Sequence, residues 1–263
     1  MKGKILIATP VYERADVGQV AAHHAAALWA LARNPELANR VEGTSDARAI
    51  TPEDNPLGLG WAGTDIVRSR SRMLEDFRLE PEFTHILWWD TDVVAEPNQI
   101  ALCIGGMLRA GKGIVGVPYP KKFVHLDRVA KTGLVEAAHT YNYQNSTPQR
   151  VDDVGCIKVD RVAGGFTLVE RHVVETMRSH YAGDPELVYD DEFDGVKPKR
   201  ETIALYQLIV KDRALLSEDY SFCERWTRIG GDVHLYLGPG APLDHVGGHR
   251  FRGDIRGIMS PRG

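Results

Sequence analysis

Asp90-Thr91-Asp92 closes the apolar run His85-Ile86-Leu87-Trp88-Trp89. Two carboxylates one residue apart, at the carboxyl end of a strand-like run, present hard oxygen ligands suited to Mg²⁺ or Mn²⁺ and, through the ion, to a substrate's phosphates. Strand-end aspartates also cap helices or accept loop amides. Two like charges behind two tryptophans are unfavourable unless a cation or donors neutralise them, and that favours the ion.

Three further clusters have the residue types for chemistry. In Ser217-Glu218-Asp219-Tyr220-Ser221-Phe222-Cys223-Glu224-Arg225-Trp226, Ser217 reads as a helix N-cap, with Tyr220, Phe222, Cys223 and Trp226 on the packing face. Glu218 and Asp219 then fall in the first turn, where the helix dipole rewards acidity and where one of them could act as a general base. His245 follows a Gly-Pro-Gly turn and precedes Gly247-Gly248, a setting that permits close approach to an ion or phosphate. Arg250 and Arg252 could face phosphate oxygens or form a solvated basic tail. Arg68, Arg70 and Arg72 alternate with serines on a helix-like segment, so they point to different faces. Arg70 or its neighbours could buttress the carboxylates or lie on the surface.

The elements that must position these groups alternate between strand and helix. Lys4 to Thr9 reads as a buried strand, Asp16 to Arg33 as an Ala-rich helix, and Arg40 to Thr44 as a strand in a turn-rich region running to Gly63. Thr64 to Phe77 reads as a helix, Thr84 to Asp90 as a strand, a helix opens at Pro97, and Gly113 to Val117 is a buried strand. Tyr119 to Asn145 reads as an irregular excursion. Lys158 to Val169 is strand-like with Gly164-Gly165 inside it, Arg171 to His180 a helix, and Gly183 to Arg200 a loop with an acidic run. Thr202 to Val210 reads as a strand, Ser217 to Ile229 as a helix and Val233 to Leu237 as a strand. This rhythm predicts an α/β fold: a mostly parallel central sheet with helices on both faces. Ligands of such sheets bind at the carboxyl ends of strands, where Asp90 and Asp92 lie.

Composition bounds the rest. The 263 residues fit one domain. A net charge of −4 gives no overall drive toward nucleic acid or anionic membrane. Cys103, Cys156 and Cys223 are too few and too scattered for a disulfide framework or a zinc site, which predicts reduced core residues. No run approaches the roughly 20 apolar residues of a membrane span, and no secretory signal is legible. A cytoplasmic protein is expected.

Taken in order, these pieces resemble the GT-A class of nucleotide-sugar glycosyltransferases, close to its family-2-like group. The likeness rests on Thr9-Pro10-Val11-Tyr12, Arg70-Ser71, the strand into Asp90-Thr91-Asp92, Gly116-Val117-Pro118-Tyr119-Pro120-Lys121, Gly164-Gly165-Phe166, Glu218-Asp219-Tyr220-Ser221-Phe222 and His245-Val246-Gly247. The resemblance implies that Thr9, Pro10 and Tyr12 border the nucleotide base, and that Asp90 faces the ribose or the ion. It implies that Asp92 and His245 hold Mn²⁺ or Mg²⁺ on the diphosphate, and that Gly164-Gly165-Phe166 shape the floor where sugar and acceptor meet. The same resemblance implies a nucleotide-binding half over 1–120 and an acceptor and metal-completing half over 121–263, with a small antiparallel acceptor-side portion of the sheet. It implies places for Arg70, Thr91 and Arg250 in the nucleotide-sugar site, and for Asp219, preceded by Glu218, the role of the base in inverting members. A UDP-sugar donor and a hydroxyl acceptor, a saccharide ahead of hydroxymethylated DNA, are the expected partners. Ser71 departs from the Arg-Asn pair often found there, and Asp46, Glu53 and Asp54 compete as the acid after a second strand. Two rivals share parts of the pattern. A haloacid-dehalogenase-like phosphatase would use Asp90 as nucleophile, and a degenerate sugar-nucleotide-binding protein would keep the metal residues without a base.

Overall fold

The computed structural model describes residues 4–10, 48–50, 66–147, 150–191, 200–247 and 250–254. The elements begin with β1 (Lys4–Pro10), β2 (Arg48–Ile50), α1 (Ile66–Leu79), β3 (Phe83–Trp89), β4 (Val93–Val94), α2 (Pro97–Ala110), β5 (Ile114–Gly116) and α3 (Leu126–Thr132). There follow β6 (Tyr143–Gln144), β7 (Cys156–Val159), β8 (Arg161–Val162), β9 (Phe166–Glu170), α4 (Arg171–Tyr181), β10 (Val188–Asp191) and β11 (Arg200–Ile203). The order closes with β12 (Val210–Lys211), β13 (Ala214–Leu215), α5 (Glu218–Arg228), β14 (Val233–Tyr236), β15 (Asp244–Val246) and β16 (Arg250–Phe251). The expected helix 16–33 and strand 40–44 lie outside the described residues.

A seven-stranded sheet, ordered β2-β1-β3-β9-β5-β14-β7, forms the frame. Strands β1, β2 and β3 pair in parallel, as do β5 and β14. The expectation of a mostly parallel sheet needs correcting beyond β3, because β9 runs antiparallel to both β3 and β5 and β7 antiparallel to β14. The fold is mixed α/β. Register accounts for the continuous apolar runs: Leu6 pairs with Ile86, Ile7 with Leu87 and Ala8 with Trp88, so successive residues serve opposite faces. Leu6, Ala8, Ile86 and Trp88 join Met73 and Phe77 of α1, Met177 of α4 and Phe222 of α5 in one core. Ile5, Ile7, Leu87 and Trp89 meet Ile100, Ile104 and Met107 of α2 in the other. Pro97 opens α2 at its first turn, and the Glu96 and Gln99 side chains form a reciprocal capping box. The three cysteines are free and buried.

Local differences have physical causes. The run 158–169 is three strands: it is interrupted at Asp160 between β7 and β8, and again at Ala163-Gly164-Gly165, where the chain turns back into the sheet as β9. The loop expected over 183–200 carries β10, which pairs antiparallel with β11. Asp191 is only 8% exposed there. Its burial depends on Arg68 and Arg72, both of which hydrogen-bond its carboxylate, and the Arg68 Nη2–Asp191 Oδ1 contact measures 2.8 Å. Those guanidinia hold the Asp191 carboxyl below its usual range against the cost of burial. The strand expected over 202–210 ends at Ile203, and the chain then turns through Leu205 and Tyr206 into the β12–β13 hairpin. The excursion 119–145 contains α3.

Candidate functional site

The turn after β3 is locked from three sides. Asp90 N–H donates to Gly165 O (2.9 Å), Val93 N–H to Asp90 O (3.1 Å) and Val246 N–H to Asp92 O (2.7 Å). The Trp89 indole N–H reaches across the turn to Val93 O at 2.8 Å. Strand β4 then pairs with β15, setting His245 opposite Val93. Ladder geometry alone thus carries His245 to the Asp92 end of β3.

His245 Nδ1 lies 2.8 Å from Pro120 O. A carbonyl only accepts, so Nδ1 carries the proton and Nε2 faces Asp92 Oδ2 at 3.4 Å. A neutral imidazole so oriented points a lone pair at a carboxylate, an arrangement that a cation between or beside them stabilises. Lys122 Nζ also sits 2.6 Å from Asp92 Oδ2. Burial raises the Asp92 carboxyl, but the hydrogen bonds and charges of His245 in its protonated form, with Nε2 donating, and of Lys122 outweigh it and bring it down to about 2. The donor set suits a divalent ion that also takes oxygen from a ligand. Among the described residues no group of three His, Cys, Asp or Glu side chains is arranged to hold a metal, so Asp92 and His245 would bind as a pair.

Asp90 belongs to a second cluster. Arg70, 2% exposed, donates from Nη2 to Asp90 Oδ1 at 2.9 Å. Its Nε lies 3.5 Å from Glu218 Oε1, and its guanidinium stacks near the Trp88 and Tyr206 rings. Arg70 lies two positions from both Arg68 and Arg72, which are four apart and share the face that reaches Asp191; Arg70 is turned to the sheet end instead. Burial pushes the Asp90 carboxyl upward; Arg70 opposes this, while Asp92 and Asp219 add to it. Burial and neighbouring Asp219 likewise raise Glu218, against the pull of Arg70. One guanidinium thus serves two carboxylates, Asp90 after β3 and Glu218 at the start of α5.

Ser217 takes the N-cap position of α5, though its hydroxyl bonds the Asp219 Oδ1 atom rather than a helix amide. Asp219 Oδ1 also accepts from Tyr220 N–H (2.7 Å), and Oδ2 accepts from Gly164 N–H (3.0 Å). Of the roughly four lone-pair positions on a carboxylate, three are taken and one on Oδ2 stays available among the described residues. Gly164 and Gly165 are required by space. A Cβ on Gly164 would lie 2.9 Å from the Arg70 guanidinium carbon, and one on Gly165 would lie 2.3 Å from the Tyr119 hydroxyl. Gly165→Ala is therefore expected to cost about 1–3 kcal/mol by overpacking, measurable by urea denaturation. An unchanged midpoint would show that Tyr119 yields freely.

Other expected residues fall in various places. Thr9 and Pro10 end β1 just beyond the Ala8–Trp88 pair, and the buried Thr9 Oγ1 has no hydrogen-bond partner among the described residues. Phe166 is fully buried and packs edge-on against Trp89 with ring centroids 5.1 Å apart, so its ring backs the Gly164-Gly165 turn from the core side. Arg250 Nε bonds Asp244 Oδ2 at 2.9 Å on the β15–β16 hairpin. Thr91 lies in the turn itself, half-buried. Ser71 bonds Val67 O within α1. Tyr12, Asp46, Glu53 and Asp54 lie outside the described residues. Two residues gain roles the sequence did not assign. Lys122 pairs with Asp92, and the Tyr119 hydroxyl accepts from Gly165 N–H (3.0 Å) while its ring meets His245 edge-on. The run Val117-Pro118-Tyr119-Pro120 at a strand end was their one local signal.

No protein-family model matches the chain, and no curated protein matches it. Among solved structures the chain is similar to A197 from STIV, at 12% identity and a TM-score of 0.44, over 94% of this chain and 86% of that one. A likeness of that degree carries no argument about chemistry.

Proposed function

We propose that this chain is a GT-A-type glycosyltransferase that moves a sugar from a nucleotide-sugar, foremost a UDP-sugar, to a hydroxyl acceptor with inversion, using Mn²⁺ or Mg²⁺. The observation that carries the reading is convergence. Asp92 with His245, Asp90 with Arg70 and Glu218, and Asp219 with Gly164 come from distant segments and meet at one end of the sheet.

A divalent cation, when bound, neutralises the diphosphate leaving group without proton transfer. The chain's own groups do the rest. His245, fixed by Pro120 O, keeps Nε2 directed at the Asp92 carboxylate. Lys122, the cation nearest Asp92, is positioned to meet phosphate oxygens. Arg70 holds Asp90 as an acceptor for a ribose hydroxyl. The open lone pair on Asp219 Oδ2 takes the proton of the acceptor hydroxyl as the acceptor's own oxygen attacks the anomeric carbon and the bond to the diphosphate breaks.

A thermal-shift screen of UDP-sugars with and without Mn²⁺ tests the donor class, because a ligand that binds only the folded state raises its melting temperature. Exchanging Asp92→Asn together with His245→Ala is expected to weaken Mn²⁺ binding at least roughly tenfold in calorimetry. Unchanged affinity would remove both residues as ligands.

A further inference from the structure

The excursion between Pro120 and Tyr141 is tied at its base and bare at its tip. Lys121 N–H donates to Thr140 O (2.7 Å), Asn142 N–H to Tyr119 O (3.1 Å) and His125 N–H to Ala138 O (3.1 Å). Beyond these ties, α3 buries none of its residues. Phe123, Leu126, Leu134 and Val135 are 58%, 77%, 49% and 43% exposed within one short stretch. Residues 121–136 also carry Lys121, Lys122, Arg128 and Lys131 against Asp127 and Glu136, on a chain whose net charge is −4. Lys122 is already paired with Asp92, which leaves Lys121, Arg128 and Lys131 as the outward cations. Folded chains seldom leave large apolar side chains clustered in water without a partner.

We infer that this tip is a docking surface for an anionic lipid bilayer. Aliphatic side chains flanked by cations match an interface in which the apolar groups enter the acyl boundary and the cations meet headgroup phosphates. A second copy fits poorly, since face-to-face contact would oppose the same cations. A nucleic-acid backbone would satisfy the lysines and arginine but give Leu126, Leu134 and Val135 nothing to bury against. Lys122, at the root of the excursion, touches Asp92, so docking would hold the candidate site close to the bilayer surface. The inference does not depend on the donor chemistry.

The test is co-sedimentation of the full chain with phosphatidylcholine vesicles containing or lacking phosphatidylglycerol. Wild type is expected to bind the anionic vesicles, more weakly as salt rises, and to leave the neutral ones in solution. Arg128→Glu with Lys131→Glu should reduce partitioning by roughly thirtyfold or more at low salt. Phe123→Ser with Leu126→Ser and Leu134→Ser should abolish it while the melting temperature holds, because these side chains are exposed. Absence of wild-type binding to anionic vesicles would overturn the inference, as would full binding by the serine variant. So would a concentration-dependent dimer that the serine variant loses, or tighter binding to duplex DNA that the serine variant retains.

Discussion

Asp219→Asn is expected to lower the rate of sugar transfer by about 10²–10⁴-fold while donor affinity stays within a few fold. The change is nearly isosteric. The amide oxygen can still accept from Gly164 N–H or from Tyr220 N–H, the bonds that orient the carboxylate. What disappears is the capacity to take a proton through the remaining lone pair. Steady-state kinetics with a fixed UDP-sugar, alongside calorimetric titration of the nucleotide, separates the two effects. Full transfer by the variant would remove Asp219 as the base. Glu218→Gln is the control, because Glu218 faces Arg70 at 3.5 Å, and its loss should act through the position of that guanidinium.

Arg70→Met is expected to destabilise the fold by about 3 kcal/mol, the lower end of what breaking a buried ion pair costs, because the Asp90 side chain keeps 29% of its accessible surface. Methionine fills much of the space beside Trp88 and Tyr206 but leaves Asp90 and Glu218 without their counter-ion. Both carboxyls already lie above their ordinary values of 3.8 and 4.5 through burial, with Arg70 pulling them back. Without it they rise further. A carboxyl raised in the folded state costs stability as pH climbs through its unfolded value toward its folded one. The deficit of the variant should therefore be smaller at about pH 5 than at about pH 8, by urea denaturation against wild type at each pH. A deficit that grows on acidification would contradict the counter-ion role.

The parts of the frame legible in the sequence were those fixed by local pattern. The Trp88-Trp89-Asp90 strand end, Pro97 at the start of α2, and Ser217 ahead of an acidic first turn all carry their signal within a few residues. What escaped depends on distant partners. Asp191 reads as a loop acid until Arg68 and Arg72, more than a hundred positions earlier, neutralise it and let β10 form. Antiparallel β9 escaped because an apolar run reads alike in either direction, and only its register with β3 and β5 gives the sense. At the site, the resemblance implied the Asp92–His245 neighbourhood, whereas the bond from Gly164 N–H to Asp219 was not foreseen. The pairing of Lys122 with Asp92 and the bond to the Tyr119 hydroxyl from Gly165 N–H were not foreseen, because nothing in their surroundings says which side of the excursion's root they face.

The position of β9 also governs how the molecule can be made. Both sheet neighbours of β5, namely β9 and β14, come later in the chain, and β9 is also the second neighbour of β3. A polypeptide emerging from the ribosome therefore displays the Trp88-Trp89 strand with an open edge until β9 has been synthesised, and Asp92 waits longer still for His245. Such non-local pairing slows folding toward the millisecond-to-second range and leaves an apolar edge exposed meanwhile. A fragment ending near residue 120 would not be a small nucleotide-binding module. It would be an unfinished sheet, and a candidate for chaperone capture rather than for ligand.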